Sequence, residues 1–251
     1  MTEAVGKNQQ HARLAWIAGV GASAGLGAAL ARRFAHEGLN VAVTGRSGER
    51  LEAVVDEIRG EGGQALALPG DVTSERDLAA IARQLTDSGT LEVAIFNAGN
   101  ATRAPTLELS AEQFEAVWRV STLGGFLFAQ AALPPLLAAG RGSLLLTGAT
   151  ASLRGRPPFA AFASAKAGLR SLAQSLAREF GPRNIHVAHV VIDGGIDGER
   201  LRTSAPQWVA EQGADGLLKP ADIADAYWHL HQQGRSAWSQ EIDLRPFSEK
   251  F

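Results

Sequence analysis

Three glycines near the start of the chain have the spacing of a site for a phosphate-bearing ligand. Gly21, Gly25 and Gly27 follow a short apolar run and precede an alanine-rich helical pattern over residues 28–36. Glycines permit a sharp turn and a close approach of main chain to a ligand, and the unpaired N–H groups of a helix N-terminus favour an anion. The spacing predicts a strand, a turn and a helix that hold a pyrophosphate, although an ordinary strand-to-helix connection has the same pattern.

A basic residue stands at the position where such a site would contact the ribose of the ligand. Arg46 ends the second apolar run, 19 residues after Gly27, and no acid stands beside it. About 20 residues after the glycine turn, an acid selects a free ribose 2′-hydroxyl and an arginine accommodates a 2′-phosphate. Arg46 therefore predicts that NADP(H) is preferred over NAD(H). The plainer alternative is a surface arginine after a strand.

Composition limits the class of protein. The chain has 251 residues, 45% of them hydrophobic, with a net charge of −2, which suits one sizeable core and gives no basic surplus for nucleic acid or an anionic membrane. No apolar run approaches the roughly 20 residues that span a bilayer. There is no cysteine, and the polar start lacks a signal-peptide core. We expect a soluble, cytoplasmic protein with no nucleic-acid or membrane partner.

Strand and helix patterns alternate along the chain. Strands are predicted near 15–18, 39–44, 64–72, 91–99, 142–147, 185–192 and 241–244, and helices near 28–36, 47–59, 74–88, 110–139, 160–181 and 220–233. This alternation predicts an α/β fold: a single Rossmann-type, doubly wound parallel sheet with helices on both faces. Residues 1–13 are predicted to be a flexible tail, and residues 14–251 a single dinucleotide-binding domain with a lid loop at about 193–219.

Four motifs occur in a familiar order, namely Gly21-Ala-Ser-Ala-Gly25-Leu-Gly27, Asp71-Val72, Asn97-Ala98-Gly99 and Lys166-Ala-Gly. With them the chain resembles the short-chain dehydrogenases/reductases over roughly residues 14–244. The resemblance implies a nicotinamide cofactor, a small-molecule substrate and a homotetramer or homodimer. It implies that the cofactor contacts Gly21, Ser23, Gly25, Leu26, Gly27, Arg46, Asp71, Val72, Asn97, Ala98, Gly99, Lys166 and Ile196.

The resemblance also implies a role for each part of this set. The glycine turn and Ser23 would hold the pyrophosphate, and Arg46 the 2′-phosphate. Asp71 and Val72 would contact the adenine. The inner ribose would lie beside Asn97-Ala98-Gly99, and Lys166 would bind the nicotinamide ribose.

The catalytic positions depart from the family pattern. Family members use Asn, Ser, Tyr and Lys, with the Tyr four residues before the Lys. Counting back from Lys166 places Phe162 at the Tyr position and Ala149 at the Ser position, and Ser121 stands where the Asn is usual. The chain is thus expected to be a divergent member that lacks the catalytic Ser and Tyr.

Two residues are candidates for the missing proton donor. Lys166 would become a better acid if an apolar surrounding containing Phe162 lowered its pKa, and its plainer role is ribose binding. Asp193, before Gly194, is either a buried acid or a turn-forming residue. A metal is not expected, because His186 and His189 would point to opposite faces of a strand and His229 and His231 would diverge on a helix.

These observations favour an atypical NADP(H)-dependent oxidoreductase that transfers hydride to or from a small, partly apolar carbonyl or alcohol. Trp208 and Leu217 in the expected lid suggest the apolar character of the substrate. One alternative is an NADP(H)-binding pseudoenzyme or sensor without turnover. Another is a non-redox lyase or isomerase on the same fold.

Overall fold

A seven-stranded parallel sheet forms the centre of the molecule. The computed structural model describes residues 12–213 and 215–249. Within them the strand order is β3-β2-β1-β4-β5-β6-β7, and every neighbouring pair is parallel. The strands are β1 Arg13–Ala18, β2 Asn40–Thr44, β3 Gln64–Ala67, β4 Thr90–Phe96, β5 Gly142–Thr147, β6 Ile185–Ile192 and β7 Glu241–Leu244.

Helices connect the strands and cover the sheet. They are α1 Leu26–His36, α2 Gly48–Gly60, α3 Glu75–Ser88, α4 Ala111–Trp118, α5 Gly124–Ala138, α6 Ala160–Phe180, α7 Glu199–Ser204, α8 Pro206–Glu211 and α9 Pro220–Gln232. The predicted α/β fold, a doubly wound parallel sheet with helices on both faces, is confirmed.

Two hydrophobic cores lie on opposite faces of the sheet. One contains Ile17 of β1 with Phe34 and Tyr227 from α1 and α9. The other contains Trp16 of the same strand with Phe128 from α5. Because consecutive strand residues point to opposite faces and both faces are covered, the central strands are apolar throughout instead of alternating.

The sheet reverses its direction of growth between β1 and β4. The chain adds β2 and then β3 on one side of β1, and β4 pairs with the other side. Loops that leave β1 and β4 therefore diverge and leave a crevice at the carboxyl ends of the strands, which is where ligands bind in open α/β sheets. The glycine turn follows β1 and Asn97 follows β4, so both border this crevice.

The helix predicted at 110–139 contains a π-helical turn, Arg119–Leu123, between α4 and α5. Among the described residues, Ala111–Ala138 is the one helix long and apolar enough to cross a membrane by length and composition. The expectation that no apolar run approaches that length is therefore wrong by this criterion. Phe128, Ala132 and Leu136 are nevertheless fully buried in the core, as in the core helix of a globular domain.

The predicted tail and lid coincide only partly with the described chain. Residues 1–11 and 214 lie outside the described residues, and Arg13 already belongs to β1. The predicted lid contains α7 and α8, and it is anchored by a bridge between Ile196 and Leu218. A Cβ on Gly198 would lie 3.1 Å from the carbonyl oxygen of Ala24. The lid thus begins against the glycine turn.

Candidate active site and cofactor pocket

The glycine turn presents the start of α1 to the crevice. The amides of Gly19 and Val20 both donate to the carbonyl of Thr44, at 2.9 and 3.0 Å, which ties the turn to the end of β2. Helix α1 begins at Leu26 after Gly25, and no side chain caps it. Its first N–H groups therefore remain available for an anion.

The glycines of the turn differ in what they make possible. A Cβ on Gly27 would lie 2.7 Å from the carbonyl oxygen of Gly19, so this glycine lets α1 pack closely against the end of β1. A Cβ on Gly21 would meet nothing within 4 Å. Packing therefore does not require a glycine at position 21. Because Gly21 has no side chain, the main chain beside the start of α1 is left uncovered. These two features fit the pyrophosphate of a dinucleotide.

Asn97 joins the end of β4 to the same turn. Its amide donates to the carbonyl of Ala18 at 2.8 Å, and its side-chain Nδ2 donates to the carbonyl of Gly19 at 3.1 Å. A Cβ on Gly19 would lie 2.3 Å from the amide nitrogen of Ala98. The loops after β1 and β4 are therefore in direct contact through Gly19, which the sequence analysis did not single out.

Arg46 follows β2 beside the turn. A Cβ on Gly45 would lie 2.2 Å from the carbonyl oxygen of Val20, so the end of β2 touches the glycine turn. Arg46 is exposed, and among the described residues it makes no hydrogen bond or ion pair. Ser47 caps α2 by accepting from the amide of Arg50 at 3.4 Å. The guanidinium of Arg46 is thus free to contact an anion near the turn.

The predicted adenine residues lie at the turn between β3 and α3. The carboxylate of Asp71 accepts from the amide and the hydroxyl of Thr73, both at 2.8 Å. The Val72 side chain is buried and packs near Gly124, whose Cβ would lie 3.1 Å from Val72 Cγ2. Asp71 therefore shapes this turn, and Val72 forms part of its apolar wall.

Ser23 already has protein partners. Its hydroxyl donates to Glu57 of α2 at 2.7 Å, and Arg32 donates to both that hydroxyl and the Glu57 carboxylate, at 3.3 and 2.8 Å. Arg32 also donates to the carbonyl of Ser23 at 2.9 Å. In this arrangement Ser23 holds the turn against α1 and α2, and its predicted contact with the pyrophosphate would require a change of hydrogen bonds.

Lys166 lies between the ends of β4 and β5. Its ammonium donates to the carbonyl of Thr147 at 2.7 Å, and a Cβ on Gly99 would lie 3.2 Å from its Nζ. The Nζ is 5.9 Å from the centroid of the Phe162 ring. Burial lowers the pKa of Lys166 from 10.5 to about 8. The structure thus brings Lys166, Gly99 and Phe162 together, and no carboxylate of the described residues is hydrogen-bonded to Lys166.

Ser121 lies in the π-helical turn on the same side of the pocket. It is fully buried, and within the described chain its Oγ has no hydrogen-bond partner. A Cβ on Gly99 would lie 3.6 Å from this oxygen, so Ser121 and Lys166 flank the same glycine. A buried hydroxyl without a partner costs about 1–3 kcal/mol. Such a group is a site where a ligand or a water completes the hydrogen bonding.

Ala149 and Asp193 are not arranged as a pair of groups that could polarise a substrate carbonyl. The amide of Ala149 donates to Ser152 Oγ at 3.1 Å, and its methyl group has no donor for a substrate. Asp193 is buried, and its carboxylate accepts from the Thr150 hydroxyl at 2.5 Å. It also forms ion pairs with Arg154 at 3.4 Å and Arg245 at 3.7 Å. These contacts favour a role for Asp193 in fixing the loop after β6.

A buried histidine that sequence reasoning considered only as a metal ligand lies behind the pocket. The His189 Nδ1 is 2.9 Å from Glu241, which Arg170 binds at 2.7 and 2.8 Å. Burial lowers the pKa of His189 to about 4, so the ring is neutral at pH 7. A Cβ on Gly148 would lie 2.3 Å from His189 Nε2. Any side chain at position 148 would therefore clash with His189, so a glycine is required immediately before Ala149.

Comparison with known proteins identifies the family. A family model described as short chain dehydrogenase matches residues 15–210. The chain is 32% identical over 228 residues to oxidoreductase asL5 of Sarocladium schorii, covering 90% of this chain and 79% of that protein. The chain therefore belongs to the short-chain dehydrogenase family, and its resemblance to that family is confirmed.

Solved structures agree with this assignment. A short-chain dehydrogenase from Rhodopseudomonas palustris is 40% identical, with a TM-score of 0.80 and coverage of 94% of this chain and 99% of that one. A metagenomic short-chain oxidoreductase solved in complex with NADP is 26% identical, with a TM-score of 0.79 and coverage of 96% and 99%. The positions of Ala149, Phe162 and Ser121 relative to the family's catalytic residues stay a prediction.

Proposed function

We propose that this protein is an NADP(H)-dependent oxidoreductase in which Lys166 takes over the proton transfer of the absent tyrosine. One observation supports this proposal best: the glycine turn, where Gly21 leaves the main chain uncovered, borders the same crevice as Lys166. This lysine is buried, and no carboxylate of the described residues is hydrogen-bonded to it. A nicotinamide dinucleotide held in this crevice would supply the hydride. A relative solved in complex with NADP supports the choice of cofactor.

Each part of the pocket then has a separate task. The start of α1 and Gly21 bind the pyrophosphate, and Arg46 binds the 2′-phosphate. Asp71 and Val72 bound the adenine pocket. With the dinucleotide held by these groups, Asn97-Ala98-Gly99 would lie beside the nicotinamide ribose, and Ile196 at the start of the lid would also contact the cofactor.

Lys166 holds the proton at its Nζ. A lysine whose pKa is about 8 is largely an ammonium at pH 7 and gives up its proton more readily than an ordinary lysine. The Ser121 hydroxyl, which has no partner among the described residues, offers a hydrogen bond near the same glycine. Phe162 is half-buried and keeps water from this side of Lys166. Asp193 acts as a positioning residue.

The lid favours a small, partly apolar substrate. Trp208 of α8 covers Gly195, where a Cβ would lie 2.7 Å from the indole ring. Arg200 of α7 reaches back to donate to the carbonyl of Gly99 at 3.2 Å. The lid is therefore hydrogen-bonded through Arg200 to the loop after β4, next to Lys166, and Trp208 gives the lid a partly exposed apolar side chain.

Consumption of NADPH on a panel of aldehydes, ketones and quinones tests the proposal. We expect wild-type protein to oxidise NADPH above background with at least one apolar carbonyl. Wild-type protein that binds NADPH but turns over none of the panel would favour the alternative of a pseudoenzyme or sensor. In that case Ala149→Ser with Phe162→Tyr is expected to gain weak activity, because Lys166 and the pocket are in place.

The cofactor preference gives a separate prediction. NADPH is expected to bind at least tenfold more tightly than NADH, because a charge-assisted contact to a phosphate contributes about 1.5–3 kcal/mol. Arg46→Ala should remove most of this preference and leave NADH affinity nearly unchanged. Fluorescence titration of both cofactors measures the effect, with Arg50→Ala as a control on the same exposed surface. Equal affinities of the wild type for NADPH and NADH would contradict the role of Arg46.

Assembly as a homodimer or homotetramer is also proposed. Phe114 and Trp118 are one helical turn apart on α4, and they are 37% and 38% exposed, while Phe126 of α5 is 41% exposed. Such an apolar face is typical of a protein interface. Light scattering at micromolar concentration should give a multiple of 26.4 kDa. A monomeric mass would count against the assembly.

The cytoplasmic location stays a prediction.

A further inference from the structure

The one hydroxyl group in the glycine turn is held by a carboxylate. Ser23 Oγ donates to Glu57 of α2 at 2.7 Å. Arg32 of α1 donates to the same carboxylate at 2.8 Å and to Ser23 Oγ at 3.3 Å. Ser23, Arg32 and Glu57 form the Ser23 cluster, which joins the glycine turn, α1 and α2. The cluster therefore lies on the turn that is proposed to bind the pyrophosphate.

The geometry of the cluster makes Glu57 and a phosphate mutually exclusive partners of Ser23. A serine hydroxyl has one proton to donate, and its lone pairs can accept at the same time. Arg32 uses the accepting capacity of Ser23 Oγ, and Glu57 receives the proton. Ser23 can therefore donate to a phosphate oxygen only after its hydrogen bond to Glu57 is broken.

Glu57 also brings negative charge to a place that otherwise suits an anion. The uncapped start of α1 favours a phosphate. The Glu57 side chain is 41% exposed, so its carboxylate is not buried away from a ligand of the turn. Arg32 compensates this charge through the ion pair at 2.8 Å. A bound pyrophosphate would compete with Glu57 for the Ser23 proton and would also be repelled by its charge.

The glycine turn has an attachment to α1 that does not depend on Glu57. Arg32 donates to the carbonyl of Ser23 at 2.9 Å, and the amide of Gly25 donates to the carbonyl of Ala22 at 2.9 Å. A partly exposed ion pair such as Arg32–Glu57 contributes little to the stability of a fold. The carboxylate of Glu57 is therefore not needed to hold the turn in place.

We propose that Glu57 is a built-in competitor of the cofactor's pyrophosphate. It holds the Ser23 hydroxyl in the cofactor-free protein, and when the dinucleotide binds, Ser23 donates to a phosphate oxygen while Glu57 stays paired with Arg32. The competition weakens cofactor binding, which lets the cofactor exchange between turnovers. This inference rests on the proposed function only in requiring that the crevice binds a nicotinamide dinucleotide.

Glu57→Gln should tighten cofactor binding. A hydrogen bond to a charged acceptor is about twice as strong as one to a neutral acceptor. In the wild type Ser23 exchanges one charged acceptor for another, whereas in the variant it exchanges a neutral amide for a charged phosphate. We expect NADPH and NADH to bind about tenfold more tightly to Glu57→Gln in fluorescence titrations. The gain should be equal for both, because both contain the pyrophosphate, whereas Arg46→Ala should affect NADPH alone.

A double-mutant cycle tests whether Glu57 acts through the Ser23 hydroxyl. In a Ser23→Ala background, Glu57→Gln should tighten NADPH binding by less than about threefold, because the competition for the hydroxyl is absent and only the change of charge remains. A gain as large as in the presence of Ser23 would show that the carboxylate acts by charge alone, and it would overturn the proposal.

Two controls separate the cluster from general surface charge. Glu52→Gln makes the same change of charge on the exposed surface of α2, and it should alter NADPH affinity by less than about twofold, since exposed charges are screened by salt. Displacement of NADPH by fragments localises the effect. Glu57→Gln should improve binding of 5′-ADP and leave that of adenosine, which has no phosphate, unchanged. An equal gain for adenosine would contradict competition with the pyrophosphate.

A crystal structure with NADPH gives a direct test. Ser23 Oγ is expected to donate to a phosphate oxygen, with Glu57 bound to Arg32. A hydrogen bond from Ser23 to Glu57 that persists in the complex would refute the competition. Equal NADPH affinities of wild type and Glu57→Gln would overturn this inference and leave the oxidoreductase proposal standing. Failure of every variant to bind either dinucleotide would overturn both, whereas binding without turnover would contradict only the oxidoreductase proposal.

Discussion

Lys166→Ala is expected to lower NADPH-dependent turnover by about 10²–10⁴-fold, the usual contribution of a positioned acid. The change removes the ammonium that lies beside Gly99, in the loop after β4. It also removes the hydrogen bond to the carbonyl of Thr147. Because the proposed contact of Lys166 with the nicotinamide ribose would be lost as well, KM for NADPH should rise, but by less than kcat falls.

The pH dependence separates proton transfer from simple binding. The pKa of Lys166 is lowered by burial to about 8, so the ammonium form declines tenfold per pH unit above that value. Reduction rates should be flat below pH 8 and fall above it, and alcohol oxidation should show the opposite slope. Lys166→Arg, which stays charged, should bind NADPH but not show this fall.

The same shift affects stability. Below about pH 8 the folded protein buries an ammonium, and between pH 8 and 10.5 the folded state has released this proton while the unfolded state keeps it. The unfolded state then binds more protons, so this group raises the free energy of unfolding as pH rises through the window. Lys219→Ala is the control for this change in the free energy of unfolding, since Lys219 is exposed and paired with Asp215.

Turnover by Lys166→Ala equal to that of wild type would remove Lys166 from the mechanism.

Much of the fold follows from local sequence. The strands predicted at 142–147 and 185–192 coincide with β5 and β6, because buried parallel strands are largely continuous apolar runs between turn signals. The strand predicted at 241–244 coincides with β7, a partly exposed edge strand in which charged and apolar residues alternate. The third strand was predicted to extend to 72 but ends at Ala67. Pro69 lies just beyond this end, and a proline cannot donate to the ladder.

The π-helical turn at Arg119–Leu123 could not be predicted. Its residues have an ordinary helical pattern, and the distortion is defined only with neighbouring elements in place. Thr122, for example, donates to the carbonyl of Ala165 on α6 at 2.7 Å. This long-range contact lies beside Ser121, whose buried hydroxyl marks the pocket.

The candidate site was predictable where strand ends define it. Asn97 and Lys166 meet the glycine turn and the end of β5 because parallel strands present their carboxyl ends at one edge. Ser23 and Asp193 differ, since their partners Glu57 and Arg245 lie far away in sequence. No local pattern predicts such pairings, so the sequence assigned Ser23 to the pyrophosphate and left Asp193 as either a buried acid or a turn-forming residue.

Gly19→Ala is expected to destabilise the protein by about 3–5 kcal/mol, because it adds a main-chain clash to an unfavourable backbone conformation. Gly19 has φ +89, and a Cβ there would lie 2.3 Å from the amide nitrogen of Ala98 and 2.5 Å from the carbonyl carbon of Asn97. These are main-chain atoms at the end of a central strand, so they cannot turn aside as a flexible side chain would. Urea denaturation measures the change.

Two other glycines isolate the parts of this effect. Gly38 has φ +81 with nothing within 4 Å of its Cβ position, so Gly38→Ala should cost only about 1 kcal/mol of backbone strain. Gly21→Ala also meets open space and should leave stability nearly unchanged, yet its methyl group would obstruct the bare main chain and weaken NADPH binding. If Gly19→Ala were no less stable than Gly38→Ala, the contact between the loops after β1 and β4 would be looser than the structure describes, and the geometry of the crevice with it.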